Sequence, residues 1–407
     1  MDRRPLPPPG LTLFTRPAPE PLPPVRVTLN DRPLRQALTG VGHYVRELLL
    51  HIPAVAPDVR VEPFYFSHFS RRDWRAPSAA PAAGTVPAAG AKGRPAGRHP
   101  WWVRRLLQGA YAAAFRGLTR GCDLYHEPNH IPMFSRLPTI TTVHDLSVLV
   151  HPEWHPADRV RWYEREFAEG VRRSKRFIAA SEYTRREMIA RLGISSDRID
   201  VTYQAPRAAF RPATAEHQRS VLSRLTLKPG FLLYVGTLEP RKNLPGLLRA
   251  YAGLPTALRR RSPLVLAGGW GWGEAELQQR LSNAHIAADV RLTGYLADDD
   301  LAALYSACAA LAWPTFYEGF GMPPLEAMAC GAPVITSSAT SLPEVVGSAG
   351  VLLDPADESA WREALRRAIE DHAWRADRRA AGLVRAAEFS WQRCAEETIA
   401  AYRRTLA

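Results

Sequence analysis

Short apolar runs alternate with amphipathic stretches of about ten residues along nearly the whole chain. The alternation halts once, over 204–212, and then starts again. A short run that is apolar throughout suits a strand covered on both faces, and a following stretch with apolar residues every three or four positions supplies such a cover. Strand, helix and strand in this order give parallel sheets with right-handed crossovers. The first run places strands at 25–30, 59–66, 123–126, 139–144, 176–180 and 199–203. The second places them at 231–235, 263–267, 290–293, 309–313, 333–336 and 351–353. The expected fold class is α/β, with two doubly wound parallel-sheet domains facing a central cleft.

The 204–212 stretch contains Pro206 and Pro212, has no periodicity, and reads as the hinge. It separates an N-terminal domain at 25–205 from a second domain at 206–390, with one more helix at 391–407. A length of 407 residues fits this division, since domains typically run to roughly 100–200 residues. Residues 1–24 read as a disordered proline-rich tail. Residues 76–100, rich in Ala, Pro and Gly, read as a mobile loop within the first domain. After it, 101–118 reads as an amphipathic helix with Trp102, Leu106, Ala110, Ala114 and Leu118 on its apolar side.

Composition removes several classes. No run approaches the roughly 18 apolar residues of a membrane span, and the N-terminus has no apolar signal-peptide core. The cysteines (Cys122, Cys308, Cys330 and Cys394) have neither zinc-ligand nor disulfide-framework spacing, which fits the reduced cytoplasm. The net charge of +13 is uneven: 67–120 holds ten basic residues and one acid, Asp73. Such a cluster suits an anionic partner, and the expectation is peripheral contact with an anionic membrane on the inner face of the cytoplasmic membrane. The plainer reading is an apolar helix face packed on the sheet with its arginines solvated. Nucleic acid is not the expected partner, because the charge is not interleaved with aromatics and no recognised module is present.

Ligands of doubly wound sheets bind beyond the carboxyl ends of the strands, so the loops there carry the candidate chemistry. In Tyr234-Val-Gly-Thr-Leu-Glu-Pro-Arg-Lys-Asn243 a strand ends at Gly236, where the backbone can approach a ligand. Arg241 and Lys242 then precede a helix, a set suited to a diphosphate; Asn243 reads equally as a helix cap. In Phe316-Tyr-Glu-Gly-Phe-Gly-Met-Pro-Pro-Leu-Glu326, Gly319 and Gly321 free the amides around Phe320. Glu318 and Glu326 lie eight positions apart, with Glu326 in the first turn of a helix at 324–330. The pair fits sugar or ribose hydroxyls, a carboxylate-pair hydrolase, or one charge stabilised by a helix dipole. His144, in Thr142-Val-His-Asp145, ends a strand and is either a proton acceptor facing the cleft or a satisfied cap. Thr39-Gly-Val-Gly42 precedes the first helix and faces the cleft from the other side.

Absences narrow the choice. There is no G-x-G-x-x-G after a strand and no P-loop, which argues against a dinucleotide oxidoreductase or a P-loop NTPase. No Asp-x-Asp ends a strand, so no metal is expected to hold the diphosphate and side-chain cations would do so. A nucleotide-sugar epimerase or phosphorylase on the same scaffold, an inactive sugar-binding protein, and a basic nucleic-acid-binding protein stand as rivals.

Taken together, VGTLEPRKN (235–243), EGFGMPPLE (318–326), LTGVGHYVRELL (38–49) and TVHDLS (142–147) resemble the retaining GT-B glycosyltransferases of family 4, group 1, in the bacterial mannosyltransferase-like branch. The resemblance covers about residues 25–405. It implies two Rossmann-like domains and transfer of a hexose, with mannose favoured, from a nucleotide-diphosphate sugar to a glycan or polyprenyl-linked glycan in cell-surface polysaccharide synthesis. It implies no cofactor beyond this co-substrate, with GDP-mannose favoured over a UDP-sugar. It assigns Arg241, Lys242 and Gly42 to the diphosphate, and Glu318 with Gly319–Gly321 to the donor sugar. Glu326 goes to the ribose, and Thr293, Gly294, Tyr295 and Leu296 to the base. It makes His144, Glu318, Arg241 and Lys242 the catalytic set, and has the last helix cross back to the N-terminal domain.

Overall fold

The computed structural model describes residues 24–35, 38, 40–64, 113–115, 117, 119–271, 274–281 and 286–407. The tail at 1–23, the 76–100 loop, Thr39, and most of both the 101–118 helix and the basic 67–120 stretch lie outside the described residues.

The strands of the first domain are β1 (Val25–Asn30), β2 (Val59–Phe64), β3 (Leu124–Glu127), β4 (Thr139–Val143), β5 (Arg176–Ala179) and β6 (Ile199–Val201). They form one parallel sheet in the order β2-β1-β3-β4-β5-β6. Those of the second are β7 (Leu232–Val235), β8 (Leu264–Ala267), β9 (Val290–Gly294), β10 (Ala310–Trp313), β11 (Val334–Ser337) and β12 (Val351–Leu353). They form a second parallel sheet, β12-β11-β10-β7-β8-β9. The inner strands β3, β4, β7, β8, β10 and β11 are buried at every position. That explains the unbroken apolar lettering of β7, β8 and β10 (LLYV, LVLA and ALAW), and each buried Leu or Val stabilises the fold by roughly 1.5–3 kcal/mol. The edge strands β2, β9 and β12 are only partly buried.

In each sheet the strand order reverses direction once. In the first the reversal lies between β1 and β3, and in the second between β7 and β10. The crevice at such a switch point is where a doubly wound sheet takes its ligand. The two loops that flank it in the second sheet, after β7 and after β10, are those that carry Arg241–Lys242 and Glu318.

Four local readings are corrected. The first helix starts at Gly40, so Gly42 lies inside it rather than before it. β4 ends at Val143, which leaves His144 just beyond the strand. The helix expected at 324–330 is Met322–Ala329, because Pro323 and Pro324 fit its opening turn. Glu326 is therefore its fifth residue, past the first turn where a dipole charge would count. A 3-10 turn, Pro240–Lys242, precedes the Leu244–Ala252 helix, so both cations sit on a turn of their own.

The final helix, Trp391–Leu406, begins where the Ser390 side chain accepts the Arg393 N–H. It packs against the Gly40–Val55 helix, and Trp391, Cys394, Ile399 and Tyr402 join the apolar core of the first domain. The Tyr402 hydroxyl meets His126 Nδ1 at 2.8 Å, and His126 Nε2 meets Thr142 Oγ1 at 2.8 Å. This buried polar thread ties the chain's end to β3 and β4. Among the described residues no helix is long and apolar enough to cross a membrane.

Candidate active site

Three clusters line the cleft. The first is the cation cluster. Gly236 follows β7 at φ 140°, and a Cβ there would lie 2.8 Å from the Trp313 indole that closes β10. Only glycine suits both the dihedral and the contact. The 3-10 turn then presents Arg241 and Lys242, and Asn243, at φ 53°, caps the next helix by accepting the Gly246 N–H at 3.3 Å. The cap reading of Asn243 thus holds, with both cations on the turn before it.

The Lys242 ammonium lies 4.7 Å from the Trp313 ring centroid and donates to Glu318. Arg241 donates to the Tyr317 carbonyl at 3.0 Å, to Glu318 at 3.3 Å and to Glu239 at 2.5 Å. Lys242 and Glu318 are only 6% and 7% exposed. Burial, and then the like charge of Arg241, pull the Lys242 ammonium below its ordinary pKa. Burial works against the Glu318 charge, but Lys242 and Arg241 outweigh it and hold the carboxyl below its usual range. Two cationic and two carboxylate side chains thus meet at this buried site.

The backbone around Glu318 is pinned. Its N–H donates to Thr340 Oγ1 at 3.0 Å, and Ser341 Oγ donates to the Glu318 and Phe320 carbonyls at 3.0 and 2.8 Å. Thr340 holds φ 58°, an uncommon state for a β-branched residue. Gly321, at φ 113°, leaves no room for a Cβ beside Leu342. A Cβ on Gly319 would collide with the His144 carbonyl oxygen of the other domain. Close domain approach therefore explains Gly319 before any ligand contact does.

The second cluster surrounds Glu326. Its carboxylate lies 3.3 Å from Arg207 and accepts from the Tyr305 hydroxyl at 3.4 Å. Arg207 also forks onto Asp298 at 2.9 and 3.0 Å. Burial pushes Glu326 up to about 7 despite Arg207. Tyr295 is about half exposed, follows β9, and feels the charges of Asp298 and Arg207. Gly294, at φ 70°, turns the chain there, Thr293 donates to its carbonyl at 3.1 Å, and Leu296 packs on the core. The first helix reaches the same place: burial, then Arg207, depress His43 to about 4. The space beside Gly42 is filled by the Pro33 carbonyl and Leu38, each 2.9 Å from a would-be Cβ. Local packing therefore suffices to require that glycine.

The third cluster is the wall formed by His144 and Asp145. His144 Nε2 donates to the Pro128 carbonyl at 2.9 Å, so Nδ1 is the acceptor, with the Gln204 amide 3.5 Å away. The ring edge packs on Tyr44 at 5.1 Å, and burial lowers its pKa. Both nitrogens thus face protein groups. Burial works against the charge of Asp145, but Arg241 and His130 hold its carboxyl well below the usual range.

The sequence reading missed Arg207 and Asp145 as members of the site. Arg207 sits in the aperiodic hinge, and its only sequence signal is being a lone charge between Gln204 and Phe210. Asp145 directly follows His144, and nothing in its spacing distinguishes a buried cleft carboxylate from a solvated one. Among the described residues, no three His, Cys, Asp or Glu side chains converge as metal ligands. Asp298 and Asp300 each pair with an arginine, Arg207 and Arg224.

The model for Glycosyltransferase Family 4 matches residues 38–205, and that for Glycosyl transferases group 1 matches 221–383. The chain is 41% identical over 281 residues to O-antigen chain mannosyltransferase B of Escherichia coli, covering 69% of this chain and 74% of that one. This protein belongs to the family 4, group 1 glycosyltransferases. A second relative of this glycosyltransferase, the serotype-specific mannosyltransferase WbdA of Escherichia coli, is 35% identical over 274 residues. That match covers 66% of this chain and 34% of the relative, so the chain spans about a third of WbdA. The fold matches a crystal structure of Anabaena Alr3699/HepE in complex with UDP and glucose, at TM-score 0.66 and 18% identity, covering 93% of this chain and all of that one. The family 4 architecture, GT-B, is therefore that of this chain. Membership also answers what the isolated motifs left open: this is a glycosyltransferase.

Proposed function

We propose that this glycosyltransferase moves mannose, with retention of configuration, from GDP-mannose to a glycan or polyprenyl-linked glycan of a cell-surface polysaccharide. The carrying observation is the buried Arg241–Lys242–Glu318 cluster at the switch point of the second sheet. The mannose assignment draws on the mannosyltransferase relatives, and the diphosphate assignment draws on the paired cations.

In this reading the donor diphosphate takes Lys242 and Arg241 in competition with Glu318, whose carboxylate then serves the sugar hydroxyls and the developing positive charge on the ring. The bond between the anomeric carbon and the phosphate oxygen breaks, and its electron pair leaves with the diphosphate. The acceptor oxygen bonds to the anomeric carbon on the same face, and its proton passes to the departing phosphate oxygen. Charge grows on that oxygen during the step, and donors aimed at developing charge are usually the largest catalytic term. Glu326 holds the ribose, with Arg207 favouring its ionised form against burial, and Tyr295 borders the base. His144 and Asp145 form the wall that contact with Gly319 brings against the sugar, which excludes water.

The test is transfer from GDP-mannose and from UDP-glucose to mannotriose, for wild type and Lys242→Ala. Transfer from GDP-mannose by wild type and its loss in the variant are expected. Preference for UDP-glucose would overturn the donor assignment.

A further inference from the structure

We propose that His151, Trp154 and Phe316 form an acceptor subsite that takes the apolar face of a pyranose ring in the acceptor glycan. The inference rests on the transferase reading above and goes beyond it, because that reading assigns no residue to the acceptor.

Three rings lie nearly parallel across the domain boundary. His151 and Trp154 stack at 3.8 Å with an interplanar angle of 18°. Trp154 and Phe316 follow at 6.1 Å and 20°. His151 precedes and Trp154 ends the Pro152–Trp154 3-10 turn of the N-terminal domain, and Phe316 lies in the loop after β10. Phe316 is 37% exposed and the His151 side chain 34%, whereas Glu318 on the same loop as Phe316 and Lys242 on the neighbouring one are buried. The strip is thus on the solvent side of the cation cluster.

Its distance from the chemistry is fixed by the backbone. The Phe316 N–H donates to the Arg241 carbonyl at 2.9 Å, and Glu318 is two residues further on. His151 also meets the Tyr317 ring, at 5.8 Å. His155, next to Trp154, feels Asp145, Arg241 and Glu239. An occupant of the strip therefore lies beside the place where the anomeric carbon would react.

The chemistry selects the occupant. A pyranose presents a face of C–H groups and a rim of hydroxyls. An aromatic ring covers the first, and the second needs polar partners. Glu153 supplies one: its exposed carboxylate is held 3.0 Å from His151 Nδ1 at the edge of the stack. A ring system with a carboxylate at its border, contiguous with a sugar-transfer site, suits a neutral hexose of the acceptor chain better than a lipid tail, which has no hydroxyl rim.

The test uses the full chain, with GDP-mannose as donor and mannotriose as acceptor. Phe316→Leu and Trp154→Leu are expected to raise the mannotriose KM about fivefold, the size expected for a lost aromatic contact. The GDP-mannose KM and the affinity for GDP should stay within about twofold, as such a local contact implies. Phe316→Tyr and Trp154→Phe keep a ring and should retain the wild-type mannotriose KM, which separates lost stacking from lost folding. Saturation-transfer NMR reads mannotriose binding without turnover: signal in wild type and its loss in the leucine variants support the subsite. An unchanged mannotriose KM, or a change in GDP-mannose KM alone, would show the rings to be a seal between domains and overturn the proposal. Failure of the transferase reading would appear instead in the wild type, as absence of GDP affinity.

Discussion

Lys242 and Glu318 form a buried ion pair whose members come from the two loops flanking the switch point of the second sheet, 76 residues apart in the chain. Each of these buried charges is stabilised by the other, and Glu318 by Arg241 as well. A diphosphate entering the site would therefore exchange one anion for another around a fixed pair of cations, and the cost of burying those cations is met in the fold itself. The site is preorganised for charge, which is the property a leaving diphosphate needs.

Removing one partner should act on stability as well as on rate. Lys242→Ala leaves Glu318 with Arg241 alone, so it should lower stability by about 1–3 kcal/mol, as for a charged hydrogen bond. It should also reduce transfer about 100-fold or more. The double variant Lys242→Met with Glu318→Gln should recover much of the stability and none of the activity. Calorimetric Tm and initial rates, measured side by side, check the split.

Glu326 gives a pH signature. Its carboxyl is raised to about 7 by burial, against an ordinary value near 4.5. A raised acid holds its proton more tightly when folded, so this group's contribution to stability falls as pH climbs from about 4.5 to about 7 and is level above that. Ribose hydroxyls donate best to the ionised form. GDP affinity should then rise with pH through a midpoint near 7. Asp298 pushes that midpoint up, while Arg207 and the Tyr305 hydroxyl pull it down. Arg207→Ala should shift it upward by at least about one unit. Calorimetric titration of GDP at several pH values measures both midpoints, and a flat profile would contradict the role.

Gly319→Ala tests domain approach. The new Cβ would meet the backbone of His144, which cannot yield as a side-chain end can. Transfer should fall at least about tenfold, while GDP affinity changes much less, because closure and not donor docking is blocked. Gly269→Ala, with nothing within 4 Å of the added Cβ, is the control and should be near silent. Small-angle scattering should show Gly319→Ala more open than wild type.

Thr340 separates stability from activity. A β-branched residue in the left-handed region carries strain of about 1–2 kcal/mol. Thr340→Gly should therefore raise Tm while it slows transfer, because the Glu318 N–H loses its hydroxyl acceptor. Thr340→Ser should keep the rate. A glycine variant as active as wild type would remove Thr340 from the positioning of Glu318.

The strands were the most legible part of the chain. Buried parallel strands such as LLYV, LVLA and ALAW are unbroken apolar runs between helices, and all six strands of each sheet fall where those runs lie. The expectation that Gly236 lets the backbone approach a ligand had a local signal, but the structure ties this glycine to its φ of 140° and to the Trp313 ring. What local spacing cannot carry is a partner far along the chain. Nothing near Gly319 points to the His144 carbonyl, nothing near Arg207 points to Glu326, and nothing in VGTLEPRKN shows that Lys242 already holds a glutamate. His144 shows the same limit. Its place after β4 suited either a free base or a satisfied ring, and only the Pro128 carbonyl and the Gln204 amide reveal that both nitrogens have neighbours.

The most direct test of the central claim, that side-chain cations grip the donor diphosphate, is calorimetric titration of GDP into wild type and Lys242→Ala, each with and without a chelator. Wild-type affinity that the chelator leaves unchanged and a loss of about tenfold or more in the variant are expected. Wild-type affinity abolished by the chelator, or a Lys242→Ala variant that binds GDP as wild type does, would contradict it.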